Sequence, residues 1–427
     1  MHAMIAAVPP SSPAATQEQL QRRTLFTLIG SVGPAGMGMA GGFAATTLAS
    51  REIVDNESLA TLAATMISIG GALIAVPLSQ YMSRRGRRPG LRIGWTIASI
   101  GALFAVLAVE TSTYPLLVLG TLGIGAGNGT NLAARYAAAD LAPEDRRAQA
   151  IGVLVWAASI GSILGPTVAL GLTEPPAKWL GFEPLSGPYL MAILVFVIAA
   201  TVVEIFLHPD PLLTATGGDG VTAPQRPNLK ESFRRIASNR LAVIAVGAMA
   251  VGQGVMVAIM TVTPLHMEDG AHEKKIIGFV ISLHIVGMYL FAPAVGWLVD
   301  RLPSSLIVGI AGVTLFIGGE VASRADAQDR NGVFLGLFLV GLGWSFAMIS
   351  GSSLLTSAFS AHERAAVQGA ADFTMTTAGA AAGLASGVVV EVSSYHSLSH
   401  WAGVAALALV AAAFYPLVMR SAGLPTR

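Results

Sequence analysis

RAQAIG, residues 147–152, returns as RAAVQG at residues 364–369, 217 positions further on. The same offset carries Gly70 onto Gly287 and Arg84 onto Arg301. Four agreements at one offset, each at an equivalent place in the apolar pattern, read as a duplication.

Around these anchors runs a succession of apolar stretches long enough to cross a bilayer, which takes about 20 residues. In the first half they cover 24–50, 58–82, 90–109, 114–140, 149–172 and 187–207. In the second they cover 240–265, 275–300, 304–322, 332–358, 365–391 and 398–419. The expectation is an all-α integral membrane protein of twelve transmembrane helices in two six-helix halves. An N-terminal bundle at 24–207 and a C-terminal bundle at 240–419 are joined by a Gly/Pro-rich linker at 208–239 that ends in a basic amphipathic piece. A disordered tail at 1–23, whose His2 and Met4 suit a floppy start better than a metal, and a short tail at 420–427 flank them. Parallel repeats of this kind place the transported solute near the bilayer midplane, between the halves.

Composition agrees. Of 427 residues 53% are hydrophobic and 11% charged, with 48 glycines, where soluble domains carry about 25% charge. A net charge of +1 gives no electrostatic reason to expect nucleic acid as a partner. The chain has no cysteine, which excludes disulfides, thiolate metal sites and cysteine nucleophiles. No paired catalytic carboxylates, nucleophile beside a base or phosphate-cradling loop stands out, so no enzyme and no cofactor is expected. Placing the N-terminus inside puts 18 of the 25 Lys and Arg on the cytoplasmic side, so both termini are expected in the cytoplasm of a bacterial-type inner membrane. The expected partners are the lipid bilayer and a small solute, and the expected state is a monomer.

The loop after the second helix, SRRGRR at 83–88, and its counterpart GWLVDRL at 296–302 resemble the loop motif Gly-x-x-x-Asp-Arg-x-Gly-Arg-Arg of the major facilitator superfamily. The first copy has Ser79 and Ser83 where the motif has Gly and Asp; the second keeps Gly296, Asp300 and Arg301. SIGSILGP at 159–166 is similar to the fifth-helix motif of the family's exporters, whereas Leu119 stands where drug antiporters have a fourth-helix arginine. The resemblance covers nearly the whole chain and implies a secondary transporter working by alternating access. Its architecture brings the end of helix eight near the start of helix five, where Asp300 can meet a positive helix terminus and Arg147. Asp140 is expected to pair with Arg84 or Arg88. With Arg301, these charges form a candidate cytoplasmic gate that breaks when the halves rock; serving topology alone is the other reading.

Polar groups inside spans are costly, roughly 2.5–3.5 kcal/mol for Asp, Lys or Arg at a helix centre, and usually face a cavity. Asn128, Asn131 and Arg135 lie on helix four, Gln253 on helix seven, His284 on helix eight and Asp372 on helix eleven. Asp372 is the deepest carboxylate, and a carboxylate in a low dielectric can carry a proton near neutral pH. Proton coupling and an ion pair with Arg135 are compatible if the pair breaks in transport. Trp156, Trp344, Tyr136 and Tyr289 are candidates to line a central cavity.

Helix seven carries Met256 and Met260 four apart, and helix eight carries His284 and Met288 four apart. Adjacent helices would hold these groups at one depth, with Met249, His266 and Met267 extending a path. Thioether and imidazole suit Cu(I) where no thiolate exists; methionine also fills gaps in apolar cores. This MxxxM…HxxxM pattern resembles the CcoA-type copper importers within the superfamily. The resemblance implies copper uptake through Met256, Met260, His284 and Met288, with copper as substrate. Proton-coupled transport of a small organic molecule, such as riboflavin or a hydrophobic drug, is the alternative.

Overall fold

The computed structural model describes residues 13–54, 57–217, 229–272 and 274–421. Twelve long helices follow one another: α1 Pro13–Val54, α2 Glu57–Arg85, α3 Arg87–Glu110, α4 Tyr114–Asp140, α5 Arg147–Leu172 and α6 Gly187–Phe206. Then come α7 Arg240–Asp269, a broken α8 (α8a Lys274–Tyr289 and α8b Ala292–Arg301), α9 Ser304–Arg324, α10 Arg330–Ala358, α11 Ala361–Val392 and α12 Tyr395–Ser421. Among the described residues, ten helices are long and apolar enough to cross a membrane; α1 and the polar-studded α4 complete two groups of six.

Two boundaries differ from expectation. α1 begins at Pro13, so residues 13–23 of the expected tail are helical; Gln21 Nε2 donates to the Ala138 carbonyl at 2.7 Å and ties this extension to α4. Residues 1–12, with His2 and Met4, and 422–427 lie outside the described residues, as do linker residues 218–228. The eighth span breaks at Leu290 and Phe291, because Pro293 has no N–H to give the carbonyl of residue 289. The linker's basic amphipathic end forms a short helix, Leu229–Ser238, in which Arg235 bridges Glu231 and Glu363.

Each half has its own apolar core. Small residues let helices approach closely where lipid gives no hydrophobic drive to pack. At Gly101 of α3 and Gly123 of α4 an added Cβ would come within 2.6 and 2.7 Å of the opposite glycine.

The halves meet at the arginine-rich end, where α2 packs on α11 and α8b on α5. A Cβ on Gly152 would strike the Ala292 carbonyl, and one on Gly369 would strike Ser79 and lie 2.8 Å from the Ala75 carbonyl. Ala75 and Ala292 are again 217 residues apart, so duplicated glycines make duplicated contacts. These contacts close the arginine-rich end.

Candidate functional site

Above that closure, α1, α4 and α5 of one half face α7, α8a, α10 and α11 of the other around a cavity of 210 Å³. Asn131, Arg135 and Gln253 line it, as do Trp344 and Tyr289. Five thioethers, from Met39, Met256, Met288, Met348 and Met375, share the wall. The expected aromatic set is thus half present: Tyr136 is fully buried below the cavity and Trp156 is exposed.

Arg135 is the floor. Its Nη2 lies 2.5 Å from Asp372 Oδ1, its Nε donates to Ser352 Oγ at 2.9 Å and its Nη1 to the Leu132 carbonyl at 2.7 Å. The Tyr136 hydroxyl accepts from Arg135 Nη2 at 3.0 Å and donates to Asp372 at 3.3 Å. Arg135 and Asp372 belong to opposite halves, and both are buried. Attraction between charges in a low dielectric is strong only if hydrogen bonds satisfy their remaining donors and acceptors, which Ser352 and Tyr136 do. Thr376, one turn beyond Asp372, opens onto the cavity.

Below this layer lies a second one. Asp140 pairs with Arg87, at 2.8 Å to Nε and 3.3 Å to Nη2, and not with the expected Arg84 or Arg88. Arg87 Nη2 also donates to Gln368 Oε1 of the other half at 2.6 Å. Arg84 is exposed; Arg88 gives its backbone N–H to Asp210 and lays its guanidinium against His208. The reason is position: Gly86 at φ 94° turns the chain so that Arg87, the first residue of α3, points inward.

Asp300 meets the start of α5 as expected. Its two oxygens accept from the backbone N–H of Ala148 and Gln149, at 2.9 and 2.8 Å. A carboxylate there satisfies two orphan donors and the helix dipole together. Arg147 does not share it but pairs with Glu144 at 3.2 Å, and Arg301 lies over the Trp297 ring. The repeat is asymmetric here: among the described residues, Ser83 bonds only the Gln80 carbonyl of its own helix. α11 instead begins with its own capping box of Ser360 and Glu363.

The Met/His set is not gathered as expected. α8a packs on α10 and hardly on α7, so the two motifs do not face each other along their length. Met256 and Met288 reach the cavity, while Met260 packs on the apolar core and His284 is absent from the lining. His284 is fully buried, and its Nδ1 donates to the Leu337 carbonyl at 2.7 Å. Its Nε2 is buried with no partner among the described residues. Met249 is buried beside Ser352, and His266 stacks on Tyr395 with ring centroids 4.0 Å apart.

Sequence reading missed the roles of Arg87, Gln368, Ser352 and Trp95, and placed Tyr136 on the cavity wall where the structure has it bonded to Arg135 and Asp372. Two signals pointed at them: Ser352 is Arg135 plus the repeat offset, and Gln368 sits midway in an i, i+4 series from Arg364 to Asp372 and Thr376.

The profile of the Major Facilitator Superfamily matches residues 26–384. The chain is 34% identical over 415 residues to the uncharacterized MFS-type transporter YdeG of Bacillus subtilis (strain 168), covering 97% of this chain and 95% of that one. It is 24% identical over 379 residues to the riboflavin transporter RfnT of Brucella anthropi, covering 87% and 89%. The crystal structure of the E. coli fucose:proton symporter FucP superposes with a TM-score of 0.70 at 15% identity, over 91% of this chain and 98% of that one.

Proposed function

The chain belongs to the Major Facilitator Superfamily, whose members are transporters and not enzymes, and from that premise we propose proton-coupled movement of a small organic solute through the central cavity. The observation that carries this reading is the buried Arg135–Asp372 pair, which joins the halves at the cavity floor. While Asp372 is ionised, the pair holds the arginine-rich end shut. Protonation removes its charge, weakens the bond to Arg135 and lets the halves part, so a proton and a solute cross together. The arginine-rich end is taken as cytoplasmic in a bacterial inner membrane, following the basic-residue bias, with the protein acting as a monomer.

A mixed wall of aromatic rings, thioethers and amides suits an amphipathic organic molecule, and the riboflavin transporter among its relatives supports that class. The cavity is smaller than the roughly 300–1,000 Å³ typical of ligand pockets, which favours a compact solute. The test is uptake into proteoliposomes under an imposed pH gradient. Asp372→Asn should abolish gradient-driven accumulation while leaving exchange of internal for external solute. Gradient-driven accumulation that survives in Asp372→Asn overturns the coupling.

A second reading, copper, has its own observation. The His284 imidazole is held through Nδ1–H by a backbone carbonyl, with Nε2 buried and free. Metal-ligating histidines are oriented in that way, and Met288 stands four residues on. Uptake of radioactive copper under reducing conditions decides it: loss in both His284→Ala and Met256→Ala supports a copper path. No uptake by the unmodified protein removes it.

A further inference from the structure

Of the three amides that line the cavity, Asn128, Asn131 and Gln253, the last two are oriented by tryptophans. Trp95 Nε1 donates to Asn131 Oδ1 at 3.2 Å, and Trp344 Nε1 donates to Gln253 Oε1 at 2.6 Å. An indole nitrogen can only donate, so each amide must turn its oxygen to the ring and keep its NH₂ for other partners. The arrangement occurs once in each half, by unrelated positions: Trp95 and Trp344 are not equivalent under the repeat. Arg135 adds to it. Its Nε, one Nη1 hydrogen and its Nη2 are engaged by Ser352, Leu132, Tyr136 and Asp372, and a guanidinium has five donors, so among the described residues a further Nη1 hydrogen is left over.

The two aliphatic hydroxyls on the wall, Ser162 and Thr376, add acceptors of a limited kind. Ser162 gives its hydrogen to the Ala158 carbonyl and Thr376 gives its hydrogen to the Asp372 carbonyl. Each therefore offers a visiting solute only an oxygen lone pair. Flat apolar surface comes from Tyr289 and Trp344, set edge to face with ring centroids 5.6 Å apart and planes at 71°.

We propose that the cavity selects planar ring solutes whose edge carries carbonyl acceptors, with the NH₂ groups of Asn131 and Gln253 as the reading donors and Trp95 and Trp344 as the positioning residues that fix their sense. This deepens the organic-solute reading and rests on it. A donor-edged ring of the same shape meets two NH₂ groups that cannot turn round without breaking the indole bonds. Gln253 is itself seated against Gly379, where an added Cβ would lie 3.1 Å from its Nε2, so the side chain has little freedom to swing away.

The experiment is a matched pair of probes, pteridine-2,4-dione and 2,4-diaminopteridine, which share a ring system and differ in carbonyl against amino groups at one edge. Binding to the purified full-length protein in lipid nanodiscs is read by quenching of tryptophan fluorescence. The dione should bind about tenfold or more tightly, since mismatched buried donors are left unpaired. Gln253→Glu keeps the shape and the bond from Trp344 but replaces the NH₂ by an acceptor, and should shift the preference towards the diamine. Trp95→Phe, at a buried ring outside the cavity wall, lets the Asn131 amide turn and should shrink the discrimination while the dione still binds.

Preference of the unmodified protein for the diamine, or binding of neither ring, overturns the inference. So does a Gln253→Glu variant whose selectivity is unchanged. A dione that binds selectively but is never accumulated under a pH gradient leaves the recognition standing and overturns the coupled-transport reading instead.

Discussion

Arg135 and Ser352, equivalent positions of the duplicated halves, meet across the interface, with Arg135 Nε donating to Ser352 Oγ at 2.9 Å. One copy of the repeat carries a charge and the other its acceptor, so the internal symmetry is broken where the halves meet. Ser352→Ala leaves a buried guanidinium donor unpaired, at a cost of about 1–3 kcal/mol. The thermal midpoint in detergent should fall and Ser352→Thr should restore it. An unchanged midpoint in Ser352→Ala would show that the bond contributes nothing.

Arg87 should matter far more than the arginines beside it. Arg87→Ala strands Asp140 in a buried site and removes the donor to Gln368, and breaking a buried pair costs about 3–5 kcal/mol. Folded yield should drop steeply, whereas Arg84→Ala, at an exposed side chain, should express as the unmodified protein does. Equal effects of the two would contradict the assignment of Asp140 to Arg87.

Asp300→Asn should loosen the closed end without unfolding the helices. The substitution removes the charge at the start of α5, worth about 0.3–1 kcal/mol and up to ~2 kcal/mol when partly buried. That range corresponds to roughly a two- to thirty-fold shift in the population with the arginine-rich end open. Because the protein has no cysteine, a single Ala365→Cys probe, buried at that end, needs no background removed. Its labelling by a maleimide applied from that side should accelerate in Asp300→Asn; an unaltered rate would sink the gate.

Bulk at the duplicated glycines should act in the same direction. Gly152→Val or Gly369→Val drives a side chain into the opposite half, so each should favour the state in which the arginine-rich end is apart. The Ala365→Cys probe should label faster in both. If either variant labels more slowly, the close approaches do not define the closed state.

Much of the fold was legible because its causes are local or periodic. Apolar runs of bilayer length, a polar break after the sixth and a fixed 217-residue offset state the helix count and the two halves without any tertiary information. Asp300 was legible for the same reason, since a carboxylate at a helix end and a helix start are both readable along the chain. The break in α8 and the early start of α1 were not. The first depends on how a proline's missing donor is accommodated, and the second on Gln21 finding a carbonyl of α4.

Sequence alone thus determined the membrane class, the duplication and the roster of buried polar residues: Arg135, Asp372, Asn131, Gln253 and His284 all had to find partners or a cavity because a low dielectric leaves them no other option. Only tertiary structure decided which partner each found. Asp140 takes Arg87 because Gly86 turns that side chain inward, and His284 turns to Leu337 because α8a packs on α10 instead of along α7. Helical spacing sets which residues share a face, but rotation and neighbour choice are set by the packing of all twelve helices together, and no spacing along one chain segment encodes that.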